Sequence, residues 1–174
     1  FPKNNTEFNV LILLKNEPLI TMEELKAQLI ELENKIKNQE MLNPLVSKST
    51  VGWHIEHALL TMNLTIDSIQ KSNPENYKKV FNFNRFMVFI MNKIPRGKVR
   101  APKAVMQKEG FTSNSLKEHL ENSKFNLEKL STLNPNAYFN HPFMGPLKLK
   151  STVRFIKLHT QPPLNIIKEI TESK

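Results

Sequence analysis

The sequence predicts an all-α protein, a helical bundle with one long crossover and a short extra helix. Apolar residues recur at three- and four-residue spacing in five segments, which is typical of helices with a buried face. No run of alternating apolar and polar residues supports a sheet. Most of the prolines stand between the five segments, where they separate one helix from the next. A chain of 174 residues is long enough for one domain with a sizeable core.

The first helix is predicted to begin at Thr21, which has Glu24 at the capping-box position. Its apolar seam consists of Met22, Leu25, Leu29, Leu32 and Ile36. A seam of this spacing packs along a partner helix at a shallow angle. We divide the chain into an N-terminal extension, residues 1–20, and a bundle domain, residues 21–174. Within the extension, Phe8 to Leu14 fits either a short strand or an extra helical turn, and the sequence leaves both open.

The second helix is predicted from Ser49 to about Ser72, because Asn73-Pro74 ends it. It has two apolar stripes on nearly opposite sides. One stripe consists of Ile55, Leu59, Met62, Ile66 and Ile69, and the other of Trp53, His57, Leu60 and Leu64. A helix that is apolar on two faces is predicted to be central or heavily packed.

Two more helices and a long connection follow. Phe83 to Ile94 is strongly apolar and is predicted to form a short helix that Pro95-Arg96-Gly97 stops. The basic stretch after it contains Pro102 and is predicted to be an extended crossover. The next helix is predicted to begin near Ser113 and to end before Asn134-Pro135.

The final helix is predicted from about Leu149 to Thr171, after a loop from Tyr138 to Pro146. Its seam consists of Val153, Ile156, His159, Pro163, Ile167 and Ile170. Pro162 and Pro163 stand inside this helix, and neither has a backbone N–H to donate. We therefore expect the helix to kink or break just after His159.

Composition narrows the classes of partner and site. With no Cys, the chain excludes disulfides, thiolate zinc sites and cysteine nucleophiles, and it fits a reducing compartment, so a cytoplasmic location is expected. The net charge is +9, and the stretch from Lys93 to Lys108 contributes six bases and no acid. That stretch contains no aromatic residue for base stacking, so we expect a solvated loop and no specific nucleic-acid partner. No apolar run is long enough to span a bilayer, so no membrane partner is expected.

His57 and His159 are the candidate metal ligands. Each lies at helical spacing on an apolar face, where an imidazole must either find a hydrogen-bond partner or hold a metal. A histidine at position 163 would complete an i, i+4 pair with His159, but Pro163 has no donor atom for a metal. For His57, a hydrogen-bonded core histidine and a metal ligand both remain open.

Four other polar residues have simpler interpretations. His54 is expected to face solvent or the bundle edge. Glu56 is expected to be a solvated surface residue, because it points about 100° away from His57 on a helix. His119 is expected to be exposed. His141 is expected to position its loop by a side-chain hydrogen bond.

Four segments carry a family resemblance. They are Ser49-Thr50-Val51-Gly52-Trp53-His54-Ile55-Glu56-His57, Ile94-Pro95-Arg96-Gly97 with Ala101-Pro102-Lys103, Asn140-His141-Pro142-Phe143-Met144-Gly145-Pro146-Leu147, and Phe155-Ile156-Lys157-Leu158-His159-Thr160. In this order and spacing the chain resembles the DinB/YfiT-like proteins, and within them the DinB-like branch of unknown function, over roughly Thr21 to Glu172. The resemblance implies a four-helix bundle, often a homodimer, that holds a divalent metal with three histidines.

Carried over to this chain, the resemblance implies His57 as the first metal ligand and His159 as the second, while the third position is Pro163. The family usually reads His-Thr-X-His-His-Leu where this chain has His159-Thr160-Gln161-Pro162-Pro163-Leu164. We therefore expect zinc or nickel to bind weakly or not at all. The favoured function is a bundle with a degenerate metal site that binds a small ligand or a partner. The alternative is a metal-dependent hydrolase or thiol transferase.

Overall fold

The computed structural model describes residues 22–94 and 111–172, and this part of the chain is mostly helical, as predicted. Its helices are α1 (22–35), α2 (Val51–Gln70), α3 (Phe83–Met91), α4 (Ser113–Leu130) and α5 (Leu149–Glu172). An antiparallel hairpin of β1 (Tyr138–His141) and β2 (Gly145–Lys148) precedes α5. The predicted crossover, the N-terminal extension and the cap residue Thr21 lie outside the described residues. None of the described helices is long and apolar enough to cross a membrane.

The central element is α2, which packs against α4, α5 and β1. Its N-terminus is capped by Thr50, whose side chain accepts a hydrogen bond from the backbone N–H of Trp53. The first predicted stripe is fully buried, in agreement with the periodicity; its members are Ile55, Leu59, Met62, Ile66 and Ile69. The second stripe is only half-buried, and Leu64 is 41% exposed. The prediction that this helix is central or heavily packed is confirmed by its central place, although the end of its second stripe contacts solvent.

Most of the seam predicted for the first helix lies in the core, although Met22 is half-buried and Ile36 directly follows the end of α1. Leu25, Leu29, Leu32 and Ile36 are buried. Two ion pairs link the helix to its neighbours: Lys124 of α4 lies 3.0 Å from Glu33, and Lys157 of α5 lies 2.6 Å from Glu24. Apolar packing therefore places α1 in the bundle, while the ion pairs connect its outer edge to α4 and α5.

The segment predicted as a loop from Tyr138 to Pro146 is instead a β-hairpin. Its register pairs Tyr138 with Lys148 and His141 with Gly145. Gly145 has a φ of +68°, a conformation that glycine adopts without steric cost. The strands are four residues each, too short to show a clear alternation of apolar and polar residues. The hairpin depends on pairing across the turn, which the pattern of a single strand does not reveal.

The final helix is continuous from Leu149 to Glu172 and contains Pro162 and Pro163 in its interior. We expected a kink or a break after His159, and the break is therefore wrong. The residues on the far side of the prolines remain in the core; they are Leu164, Ile167 and Ile170. Gln28 of α1 also donates a hydrogen bond to the carbonyl of Lys157, 3.2 Å away, next to the two carbonyls that lose their helical donors. Tertiary packing thus offsets the local cost of the prolines.

Candidate functional site

The structure brings together the two predicted metal ligands, His57 on α2 and His159 on α5. Their ring centroids lie 5.5 Å apart with the planes inclined by 39°. Each histidine has an aromatic residue one helical turn before it. Trp53 stacks on His57 with a centroid distance of 5.3 Å, and Phe155 lies 5.5 Å from His159. The surroundings of the pair are therefore aromatic rather than acidic.

His159 is neutral at physiological pH. The pKa of its imidazole is lowered to about 4, mainly by burial and in addition by the neighbouring His57 and His141. The Nδ1 atom of His159 is buried and has no hydrogen-bond partner among the described residues. A neutral imidazole with an unused nitrogen is the form of histidine that binds metals.

Position 163 decides what the pair can do chemically. Because α5 is unbroken, residue 163 lies one turn beyond His159 and is directed toward the same face. Pro163 is buried there. Position 163, which the resemblance assigns to a third ligand, is thus occupied by an apolar ring. The described ranges contain no group of three or more His, Asp or Glu residues that could hold a metal ion. Two imidazoles fall short of the three protein ligands typical of a catalytic zinc site.

His141 positions the hairpin turn, as predicted. Its Nδ1 accepts hydrogen bonds from the backbone N–H groups of Phe143, at 3.1 Å, and Met144, at 3.2 Å. Because Nδ1 accepts, the proton of the neutral ring is on Nε2. Burial lowers the pKa of His141 to about 4, which keeps Nδ1 available as an acceptor.

The sequence did not place His141 near the histidine pair. The ring of Phe155 contacts both His141, at a centroid distance of 4.8 Å, and His159, at 5.5 Å. Phe155 therefore connects the hairpin turn to the candidate site. One feature of the sequence could have predicted this contact. The His-Pro-aromatic-X-Gly segment stands directly before α5, which places the hairpin next to the first turns of that helix.

His54 is buried, so the expectation that it faces solvent or the bundle edge is wrong. Its Nε2 lies 2.9 Å from Oγ of Ser47, and that oxygen also accepts a hydrogen bond from the backbone N–H of Ser49. Burial, followed by the influence of His57, lowers the pKa of His54 to about 4. The contact between Ser47 and His54 attaches the connection before α2 to that helix. The sequence pattern did not predict this contact, because Ser47 lies in an irregular segment.

Glu56 is also buried, and the expectation of a solvated glutamate is wrong. One carboxylate oxygen lies 3.8 Å from Nε2 of His119 on α4, while the other is buried without a hydrogen-bond partner in the described part of the chain. Burial raises the pKa of the Glu56 carboxyl, and His119 opposes that shift. His119 is half-buried rather than exposed. Glu56 thus faces α4 while His57 faces α5, so this carboxylate does not serve the histidine pair.

Two surface recesses lie elsewhere on the protein. One of about 340 Å³ lies between α3 and α5, and the other, of about 570 Å³, lies between the end of α1 and α4. Neither is lined by His57 or His159. The histidine pair is therefore part of a packed aromatic cluster and does not line either recess.

No protein-family model, no curated protein and no solved structure matches this chain. The likeness to the DinB/YfiT-like proteins accordingly rests on the quoted segments alone.

Proposed function

We propose that this protein is a DinB/YfiT-like four-helix bundle with a degenerate metal site, which acts by binding a small ligand or a partner and not by metal catalysis. The observation that carries the proposal is the buried Pro163 at the position of the third ligand. The packing of α2 against α4 and α5, and the ion pairs from α1 to α4 and α5, support a bundle formed by these four helices.

The side chains around the pair do not fit a catalytic metal centre. Such a centre needs three protein ligands and an open position for water or substrate. Here the two imidazoles are flanked by Trp53 and Phe155, and Glu56 is directed to a different interface. We therefore propose that zinc or nickel binds weakly through His57 and His159, because imidazole nitrogens are ligands that suit these ions even when only two are present.

Restoring the third ligand tests this proposal. The unbroken α5 means that Pro163→His alone should form an i, i+4 pair with His159 opposite His57. By isothermal titration calorimetry, zinc affinity should rise by on the order of 100-fold or more, and it should fall again when His57→Ala is added. The matched control is Gln161→His, which also adds an imidazole to α5 but places it on an exposed position about 160° away from His159 around the helix. Equal gains in both variants would contradict the proposal.

A metal-dependent hydrolase or thiol transferase is the second candidate function. The observations that favour it are the contact between the two rings and the unused, buried Nδ1 of His159. Elemental analysis of untagged protein, purified without chelator or nickel resin, separates the two proposals. Stoichiometric zinc or nickel that is lost in both His57→Ala and His159→Ala would favour the enzyme. The homodimer that the resemblance implies is tested by sedimentation equilibrium on the same samples.

A further inference from the structure

The short helix α3 presents its apolar side to the outside of the protein. No residue of α3 is buried, and large apolar side chains from this helix and the residues before it are exposed. These side chains, which we call the α3 face, belong to Val80, Phe81, Phe83, Phe86, Ile90 and Met91. At about 100° per residue, Phe83, Phe86 and Ile90 lie within about 60° of one another on the helix. These three side chains thus form one exposed stripe within the α3 face.

Polar contacts hold the inner side of α3 against the rest of the protein. Asn82 donates to the carbonyl of Phe143 at 3.0 Å, and Arg85 donates to the carbonyls of Pro146 and Val80. Arg154 of α5 donates to the carbonyl of Phe89 at 2.6 Å. Val88 and Phe89 also pack against the core from this side. The helix is therefore attached by these hydrogen bonds and apolar contacts on its inner side, which leaves the α3 face directed outward.

Basic residues are concentrated in the part of the sequence that contains α3. From Lys78 to Lys108 the sequence has nine Lys and Arg residues and no acid, which equals the whole net charge, since the other 16 basic residues are matched by 16 acidic ones. Four of the nine bases belong to the described residues: Lys78, Lys79, Arg85 and Lys93. The lysines at 78, 79 and 93 are exposed. Exposed apolar and cationic groups therefore stand side by side.

Two guanidinium groups add positive charge beside the stripe. Arg85 and Arg154 line the recess of about 340 Å³ between α3 and α5 together with Phe81, Phe86 and Ile90. The hydrogen bonds that the two arginines make within the described residues go to carbonyl oxygens and to the side-chain oxygen of Asn92. None of these acceptors is a carboxylate, so both positive charges remain available to an anion at this recess.

We propose that the α3 face binds the surface of anionic membranes. An anionic bilayer offers an apolar interior for the phenylalanines and aliphatic side chains and negative headgroups for the surrounding lysines and arginines. A second copy of this chain fits less well, because it would bring Lys78, Lys79 and Lys93 of the two copies together. A single-stranded nucleic acid would leave Val80, Ile90 and Met91 without a role, since bases stack on rings. The protein thus lies on the membrane without spanning it, and the inference does not depend on the His57–His159 pair.

Vesicle flotation of the full, untagged chain tests the proposal. The protein should float with vesicles of phosphatidylcholine and phosphatidylserine but not with phosphatidylcholine alone, and binding should weaken as salt rises. Removing the apolar stripe with Phe83→Ala, Phe86→Ala and Ile90→Ala should reduce binding by about tenfold or more. Reversing charge with Lys78→Glu and Lys79→Glu should have an effect of at least that size.

Matched controls change the same residue types elsewhere on the surface. Ile30→Ala with Phe125→Ala removes exposed apolar side chains, and Lys37→Glu with Lys48→Glu reverses exposed charges. Both controls should bind like the unmodified chain, and circular dichroism should show that every variant is folded. The charge variant keeps the test decisive if the alanine variant does not fold.

Three outcomes would overturn the proposal. The first is no binding to anionic vesicles at low salt. The second is a dimer, seen by analytical ultracentrifugation, that the alanine variant disrupts while no variant changes vesicle binding. The third is binding to single-stranded DNA that requires the phenylalanines, without vesicle binding.

Discussion

Phe155 contacts His141 on one side and His159 on the other, with ring centroids 4.8 and 5.5 Å away, and so joins the hairpin turn to the histidine pair. Burial lowers the pKa values of His159, His141 and His54, so that these three imidazoles are neutral in a neighbourhood largely withdrawn from water. Such a neighbourhood resists the uptake of protons, and this makes the stability of the fold depend on pH.

The first prediction concerns that pH dependence. The pKa values of His54, His141 and His159 are lowered to about 4 in the folded protein, below the ordinary value of 6.5. The unfolded chain therefore binds more protons between these values, so stability is present above about pH 6.5 and is lost as pH falls toward 4. Each histidine should contribute on the order of 1–2 kcal/mol after discounting for solvent screening. Urea unfolding across this range measures the loss.

A variant of Glu56 controls the pH experiment. The pKa of the Glu56 carboxyl is raised by burial, so its contribution to the free energy of unfolding has the opposite sign and favours the folded state at lower pH. Glu56→Gln should therefore make the loss of stability on acidification steeper, whereas His141→Phe should make it shallower. A stability that is flat from neutral to mildly acidic pH would contradict the prediction.

The second prediction concerns the prolines of α5. Pro162→Ala restores a backbone donor to the carbonyl of Leu158 in a helix that is already continuous. We expect the free energy of unfolding to rise by about 1–3 kcal/mol, measured by chemical denaturation. Lys168→Ala, on an exposed position of the same helix, should change it by less than about 0.5 kcal/mol. A destabilised Pro162→Ala would indicate that the proline ring contributes packing that exceeds its cost to the helix.

The third prediction concerns the hairpin turn. His141→Phe keeps an aromatic ring but removes the acceptor for the backbone N–H groups of Phe143 and Met144. The two donors then lose their partner, which should cost about 1–3 kcal/mol. Hydrogen exchange at these two amides should quicken, while exchange in the middle of α2 should keep its rank among the slowest amides. Unchanged protection at residues 143 and 144 would show that the imidazole does not hold the turn.

The fourth prediction compares the two stripes of α2. Leu59 is fully buried on the first stripe, and Leu64 is 41% exposed on the second. Leu59→Ala should cost about 2–5 kcal/mol, because it leaves a cavity in the core. Leu64→Ala should cost less than about 1 kcal/mol, since much of that side chain already contacts water. Equal losses in thermal denaturation would mean that the second stripe is covered by a partner in solution.

Local pattern predicted most of the helices to within a few residues. The second helix was expected from Ser49 to Ser72 and runs from Val51 to Gln70, because Thr50 and Asn73-Pro74 mark its ends locally. The role of His141 in its turn was predicted for the same reason, since the two backbone N–H groups that donate to its Nδ1 lie two and three residues away. Interactions between residues a few positions apart can be predicted from the local sequence alone.

The environments of His54 and Glu56 could not be predicted in this way. Each residue is buried by a partner from another part of the chain: Ser47 contacts His54, and His119 of α4 faces Glu56. Helical spacing tells which residues share a face, but it does not tell which element covers that face. The pairing of the two short strands was missed for a related reason, because β-structure is stabilised by contacts across strands.

Local patterns were enough to predict that the described part of the chain is mostly helical and roughly where most of its helices begin and end. They also show that position 163, one helical turn after His159, is a proline. Contacts between distant segments, which the sequence does not reveal, are needed to explain why α5 continues through both prolines and why the α3 face is directed outward. The physical reason is the same in both cases. The local conformational preference of a residue sets a free-energy cost of a few kcal/mol at most. Burial of residues such as Leu164 and Ile167, or a hydrogen bond such as that of Arg154, outweighs this cost only when distant segments come into contact.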